Sequence, residues 1–116
     1  MTRPRRIQLS RRKGWRKPEG AVVVARPTAF GNPFTVAAAR DAGWGGTDAD
    51  LQRQCVEAFR QWLNGSEADW QGPESDAARV ELLRRLRELR GHDLACWCAP
   101  GAPCHADVLI EMANRS

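Results

Sequence analysis

No stretch of the sequence is apolar over anything near the ~20 residues needed to span a bilayer, and no leader-like apolar run follows the basic first residues. These absences exclude a membrane helix and make the cytoplasm the expected location. With 116 residues the chain lacks the length for a second core, so one domain over residues 1–116 is expected. No internal repeat is present. Acidic side chains are missing from residues 1–18, and cysteine is sparse, at four residues. Cytoplasmic thiols stay reduced, so cysteines that cluster read as metal ligands or reactive groups before they read as disulfides.

What is present suits a folded chain: 42% of residues are hydrophobic and 28% charged. The net charge of +4 conceals an asymmetry. Arg3, Arg5, Arg6, Arg11, Arg12, Lys13, Arg16 and Lys17 crowd the acid-free segment 1–18, and the remainder of the chain is acidic in balance. A concentrated basic segment beside an acidic body favours phosphate-bearing partners, either nucleic acid or a phosphorylated small molecule. Ile7 and Leu9 alternate with Gln8 and Ser10 as in a half-buried strand, so the segment is expected to be ordered.

"AVVVAR" is a short β-branched run, the pattern of a strand covered on both faces. Residues 27–46 form a long loop rich in glycine and proline, with one short helix over Val36 to Ala42. Thr47 with Asp50 makes a capping box for a helix carrying Leu51, Cys55, Ala58, Phe59, Trp62 and Leu63, stopped by Asn64-Gly65. Cys55 there reads as a small core residue. A further helix is expected with Ser75 or Asp76 as cap, Leu82, Leu83, Leu86 and Leu89 on one side, and Gly91 as stop. Its arginines mix with Glu81 and Glu88 as a solvated, ion-paired face. "HDLACWC" reads as a third strand and "CHADVLIEMANR" as a closing helix. The expected fold class is therefore α/β, a small Rossmann-like sheet with flanking helices and its site at the carboxyl ends of the strands.

That end receives two loops. In "LACWCAPGAPCHAD", strand alternation points Cys96 and Cys98 one way and sends Trp97 into the core. The "APGAP" turn then returns Cys104 and His105 from the start of the last helix. Three readings stand side by side. Cys96, Cys98, Cys104 and His105 are the donors of a tetrahedral zinc site, with Asp107 or water as a substitute fourth ligand. Alternatively, Cys104, His105 and Asp107 serve catalysis, with Cys104 activated at a helix N-terminus. In the plainest reading the cysteines are buried strand residues and His105 is a cap. Adjacent helical residues point about 100° apart, which counts against His105 touching the Cys104 sulfur in the catalytic reading, and the adjacent pair need not both face one ion in the metal reading.

The other loop is "ARPTAFGNPF". Its Gly31-Asn32-Pro33 turn directs an amide that both donates and accepts, and Arg26 at a strand end suits phosphate. Arg26, Gly31, Asn32 and Phe34, with Arg12 and Lys13 from the basic segment, are the expected ligand-binding residues. Phe30 and Trp44 are further candidates for stacking on a base.

Together, "VVVARPTAFGNPF" and "LRGHDLACWCAPGAPCHADVLIEMAN" resemble the domain-of-unknown-function 4326 family of small bacterial and bacteriophage proteins. The resemblance falls on Arg26, Gly31, Asn32, Pro33, Phe34, Cys96, Cys98, Pro100, Cys104, His105 and Asp107. Ala25 stands where the family more usually has glycine. The resemblance implies a small cytoplasmic α/β protein and carries no reaction with it. The leading expectation is a nucleotide-directed protein that cleaves or transfers a group on a phosphorylated nucleoside. The alternative is a non-enzymatic, zinc-stabilised module binding nucleic acid through residues 3–17. A third class is an interaction protein whose two motifs only hold the fold. No pair of carboxylates is fixed by spacing, and Asp41, Asp93 and Asp107 are the candidate bases.

Overall fold

The computed structural model describes residues 3–115. Three short strands, β1 (Arg6–Gln8), β2 (Val22–Val23) and β3 (Leu94–Cys96), form one parallel sheet in the order β1-β3-β2. The last strand in sequence is thus the central one, and it is fully buried along its length. Leu94 and Ala95 supply the small and branched side chains that a strand covered on both faces requires.

Parallel strands leave the sheet at the same edge. Residues 9–21 follow β1, residues 24–35 follow β2, and residues 97–104 follow β3, so three loops start from that edge. The first of them must also return to the amino end of β2. Such crossovers are usually helical; here the basic segment does it as irregular chain, turning at Gly14 and Gly20, both at positive φ.

The helices are α1 (Val36–Asp41), α2 (Asp48–Leu63), α3 (Pro73–Arg85) and α4 (His105–Ala113), with a 3₁₀ turn at Leu86–Leu89. The capping box of α2 is complete: Thr47 Oγ1 accepts from the Asp50 amide at 3.2 Å, and Asp50 accepts from the Thr47 amide at 2.9 Å. Phe59 and Trp62 of α2, Leu82, Leu89, and Val108 and Leu109 of α4 join Val24 and Leu94 in the main core. A smaller core of Ala39, Leu51 and Cys55 lies beneath α1, which places Cys55 as expected.

Three local expectations are corrected. Helix α3 begins at Pro73 behind Gly72, two to three residues before the expected cap, because proline is pre-set for the first helical turn. Ser75 is instead buried, taking the Trp62 indole N–H at 2.8 Å and donating to the Trp70 carbonyl. Leu83 faces outward, because it lies about 100° round α3 from the buried Leu82 and so off the face that Leu82 turns to the core. Trp97 is 46% exposed rather than core, since β3 ends at Cys96 and the next residue already lies on the sheet edge.

Candidate functional site

Of the four donors expected to converge, Cys96, Cys104 and His105 do so. Cys96 ends β3, Cys104 caps α4 and His105 is its first residue; one donor atom from each lies within 4.8 Å of the others, so the trio can hold a metal ion. Cys96 Sγ is 4.0 Å and Cys104 Sγ 3.9 Å from His105 Nδ1. Cys98 stands beside the trio, its Sγ 3.9 Å from that of Cys96, but is not among the donors that all lie within 4.8 Å of one another. The objection from helical geometry fails because Cys104 is extended, at φ −150° and ψ 139°, and so turns its sulfur toward the same point as the first helical side chain.

His105 is held in one tautomer. Its Nε2 lies 2.8 Å from the Val24 carbonyl, which only accepts, so Nε2 carries the hydrogen and the Nδ1 lone pair faces the sulfurs. Phe59 packs edge-on against the ring at 5.4 Å. A backbone carbonyl behind a ligating imidazole is the usual outer support of a metal-binding histidine.

The sulfurs are supported in the same way. Arg6 of β1 donates to the carbonyls of Ala102 at 2.7 Å and Ala99 at 2.9 Å, pinning the turn between Cys98 and Cys104. Its third contact is Asp107, at 2.9 Å. Gln52 of α2 reaches Cys98 Sγ at 3.7 Å and the Pro103 carbonyl at 3.1 Å.

Hydrogen bonds from Cys104, then from Cys98, hold the Cys96 thiol far below its usual range. Cys104 is pushed far upward, first by Cys96, then by Cys98 and burial. Cys98 also rises: a hydrogen bond with Cys104 pulls it down, but Cys96 and burial outweigh that pull. The physical content is crowding, because without a cation the cluster favours one thiolate among its three sulfurs. Cys104 is 1% exposed, so its sulfur is closed to attack on a solvent-borne substrate.

The second loop folds against this cluster. Arg26 donates to the Asn32 carbonyl at 2.7 Å, closing the turn across a cis Arg26–Pro27 bond. A Cβ on Gly31 would sit 2.7 Å from Arg26 Cγ and 2.9 Å from its Cα, so only glycine fits there. Asn32 is buried, accepting from the Phe34 amide at 2.9 Å and donating to the Cys55 carbonyl at 3.2 Å. Much of its amide is therefore engaged in tying the loop to α2.

Between the two loops lies a cavity of about 400 Å³ whose walls include Arg26, Asn32, Phe34, Gln52, Cys96, Cys98 and His105. Phe34 and Thr35 separate it from a larger, mainly apolar hollow of about 680 Å³ that reaches Trp44 and Trp70. Several of the expected residues lie outside it, Trp44 of the larger hollow among them. Asp107 faces a different hollow beside Arg3 and Pro4, ion-paired to Arg6. Arg12 and Lys13 are exposed on the crossover and do not line the cavity. Phe30 is buried with the Arg85 guanidinium over its ring.

Gln52, Thr35 and Trp97 line the cavity without having been singled out for it from the sequence. Gln52 follows Leu51 on the flank of an apolar stripe, a position where polar residues are routine; only the third dimension turns it toward Cys98.

A family model matches residues 7–115, described as domain of unknown function (DUF4326). The chain belongs to the DUF4326 family. Both loops that wall the cavity lie inside the matched region. No curated protein and no solved structure matches the chain.

Proposed function

We propose that this DUF4326 protein holds zinc at Cys96, Cys98, Cys104 and His105 and binds a phosphorylated nucleoside in the adjoining cavity. The observation that carries the reading is that the arginine-asparagine loop and the cysteine loop wall one cavity at the carboxyl edge of a parallel sheet. That edge is where open, Rossmann-like α/β sheets take their ligands. Zinc follows from the donor chemistry. Tetrahedral bonds of typical Zn–S and Zn–N length put neighbouring sulfurs about 3.8 Å apart and a sulfur and nitrogen about 3.6 Å apart. Three of the six edges of such a set, Cys96–Cys98, Cys96–His105 and Cys104–His105, stand at 3.9 Å, 4.0 Å and 3.9 Å, close to those lengths. A cytoplasmic setting would keep the thiols reduced for the metal.

Arg26 is exposed, and its one hydrogen bond among the described residues uses a single guanidinium nitrogen, which leaves donors for phosphate. Asn32, Thr35 and Gln52 supply polar edges for sugar or base, and Phe34 supplies an aromatic face. Among the described residues no carboxylate lines the cavity, so Asp41, Asp93 and Asp107 do not stand there as bases. A zinc held by all four of these donors would be a closed site, so it would shape the cavity wall beside half-buried Cys98 and leave any cleavage or transfer step to groups of the ligand and the other cavity residues.

Calorimetric titration of the zinc-loaded chain with nucleoside mono-, di- and triphosphates tests this. Binding of one class, weakened at least about tenfold by Arg26→Gln in a chain that keeps its metal, is the expected result. Folded, metal-loaded protein that binds none of them below millimolar concentration would remove the nucleotide from the proposal.

A further inference from the structure

We infer that the ligand of the cavity is the end of a single-stranded nucleic acid, whose next base stacks at Trp97 and whose phosphates run along Arg11, Arg12 and Lys13. The inference rests on the cavity reading above and extends it to the substrate class.

Three observations carry it. The first is charge that has no partner. Most arginines of the chain body meet a carboxylate: Arg40, Arg53, Arg60, Arg79, Arg84 and Arg85 each pair with Asp or Glu. Among the described residues Arg11, Arg12 and Lys13 meet none, although all three are exposed. The second is an indole in the open. Trp97 is 46% exposed, lies between two of the cluster cysteines and contributes to the cavity wall. The Arg11 guanidinium stands 4.7 Å from its ring centroid, which joins the basic segment to the rim of the site.

The third is topology. The basic crossover leaves β1 at the edge where the cysteine loop leaves β3, so the cations and the cavity share one edge of the sheet.

An unpaired base has an open π-face for an indole, whereas a base inside a duplex has none; stacking combined with a cationic track is how single strands are held. The basic segment is also irregular rather than helical, so it offers no recognition helix for a major groove. The arginine-rich helix α3 is neutralised by its own Asp76 and Glu81, and Arg85 by Glu88. A free nucleotide would use Arg26 and leave the crossover cations idle.

The test uses the zinc-loaded full chain and fluorescence anisotropy with a labelled oligo-dT and oligo-rU of about ten nucleotides, a duplex of equal length, and unlabelled mononucleotide as competitor. A single strand is expected to bind at least tenfold more tightly than the mononucleotide and the duplex. Its log affinity should fall with log salt at a slope of about −3, as four phosphates on a single strand give, three on the crossover cations and one on Arg26. Replacing Arg11, Arg12 and Lys13 together by Ala should flatten that slope and reduce strand affinity to the mononucleotide level. Trp97→Leu should weaken strand binding with the slope and the metal content kept. Mononucleotide binding that depends on Arg26, with a strand no tighter, overturns this inference and leaves the cavity reading standing. Arm-dependent strand binding that Arg26→Gln leaves unchanged, with no mononucleotide bound, overturns both the cavity reading and the placement of a strand end. Equal or tighter binding of the duplex also overturns the inference.

Discussion

His105 joins three parts of the chain through one ring. Its Nε2–H ends on the Val24 carbonyl after β2, its Nδ1 faces sulfurs from β3 and the cap of α4, and Phe59 of α2 packs edge-on against it. His105→Ala removes a buried hydrogen bond and a donor, so we expect a loss of about 2–4 kcal/mol in denaturant unfolding of the zinc-saturated protein. His105→Asn should give a comparable loss of metal affinity, read by competition with a chromogenic chelator. Gly31→Ala should cost about 1–3 kcal/mol in the same unfolding assay, because the new methyl meets the Arg26 backbone as well as its flexible side chain. Unchanged stability in Gly31→Ala would show that the turn yields. At this scale the donor types and their convergence were legible in C-x-C-x5-C-H, but the direction of Cys104 was not. Sequence spacing carries no backbone angle, and the extended cap removes the rotation that a helix would impose. Trp97 was misplaced for a related reason: alternation holds only while the strand lasts, and β3 stops one residue earlier.

Among the elements, β1 matters most for what its Arg6 does beyond the sheet. That guanidinium, 13% exposed, binds two carbonyls of the 97–104 turn and Asp107 together, a fork that the single ammonium of lysine does not reproduce. Arg6→Lys is therefore expected to weaken metal retention about tenfold or more against a chelator while the far-ultraviolet circular dichroism stays as in the parent. Identical retention in the variant would remove Arg6 from the support of the cluster. The capping box of α2 gives a second test. Thr47→Ala should cost about 1 kcal/mol. The Thr47 backbone and then its hydroxyl hold the Asp50 carboxyl below its usual 3.8. A carboxyl depressed by folding contributes stability that is present above that ordinary value and is lost as pH falls through the folded one, so the difference between parent and Thr47→Ala should shrink below about pH 4. This helix was legible because cap, apolar stripe and stop all agree locally. The start of α3 was not, because Ser75 has the chemistry of a cap yet is used as a buried partner for Trp62.

At the scale of the molecule, the decisive fact is the strand order β1-β3-β2, which no local pattern contains. β1 was readable from an alternating run, β2 from a β-branched one and β3 from a short apolar one, whereas their neighbours are set by which faces the helices cover. That order puts the last strand in the middle and brings the crossover, the Arg26 loop and the cysteine loop to one edge. No helix of the described residues is long and apolar enough to cross a membrane. The cluster ties β3 to α4, and β3 is the strand on which both others pair, so metal should stabilise the whole sheet. Chelation is expected to lower the melting temperature by at least about 4 °C, the shift that ~1 kcal/mol produces in a domain of this size. The most direct measurement is native mass spectrometry of the untagged chain, paired with thiol labelling. One zinc ion per chain is predicted, with Cys96, Cys98 and Cys104 unreactive until a chelator removes it. A folded chain that carries no metal, takes none up from added zinc and exposes Cys98 to labelling throughout would contradict the account.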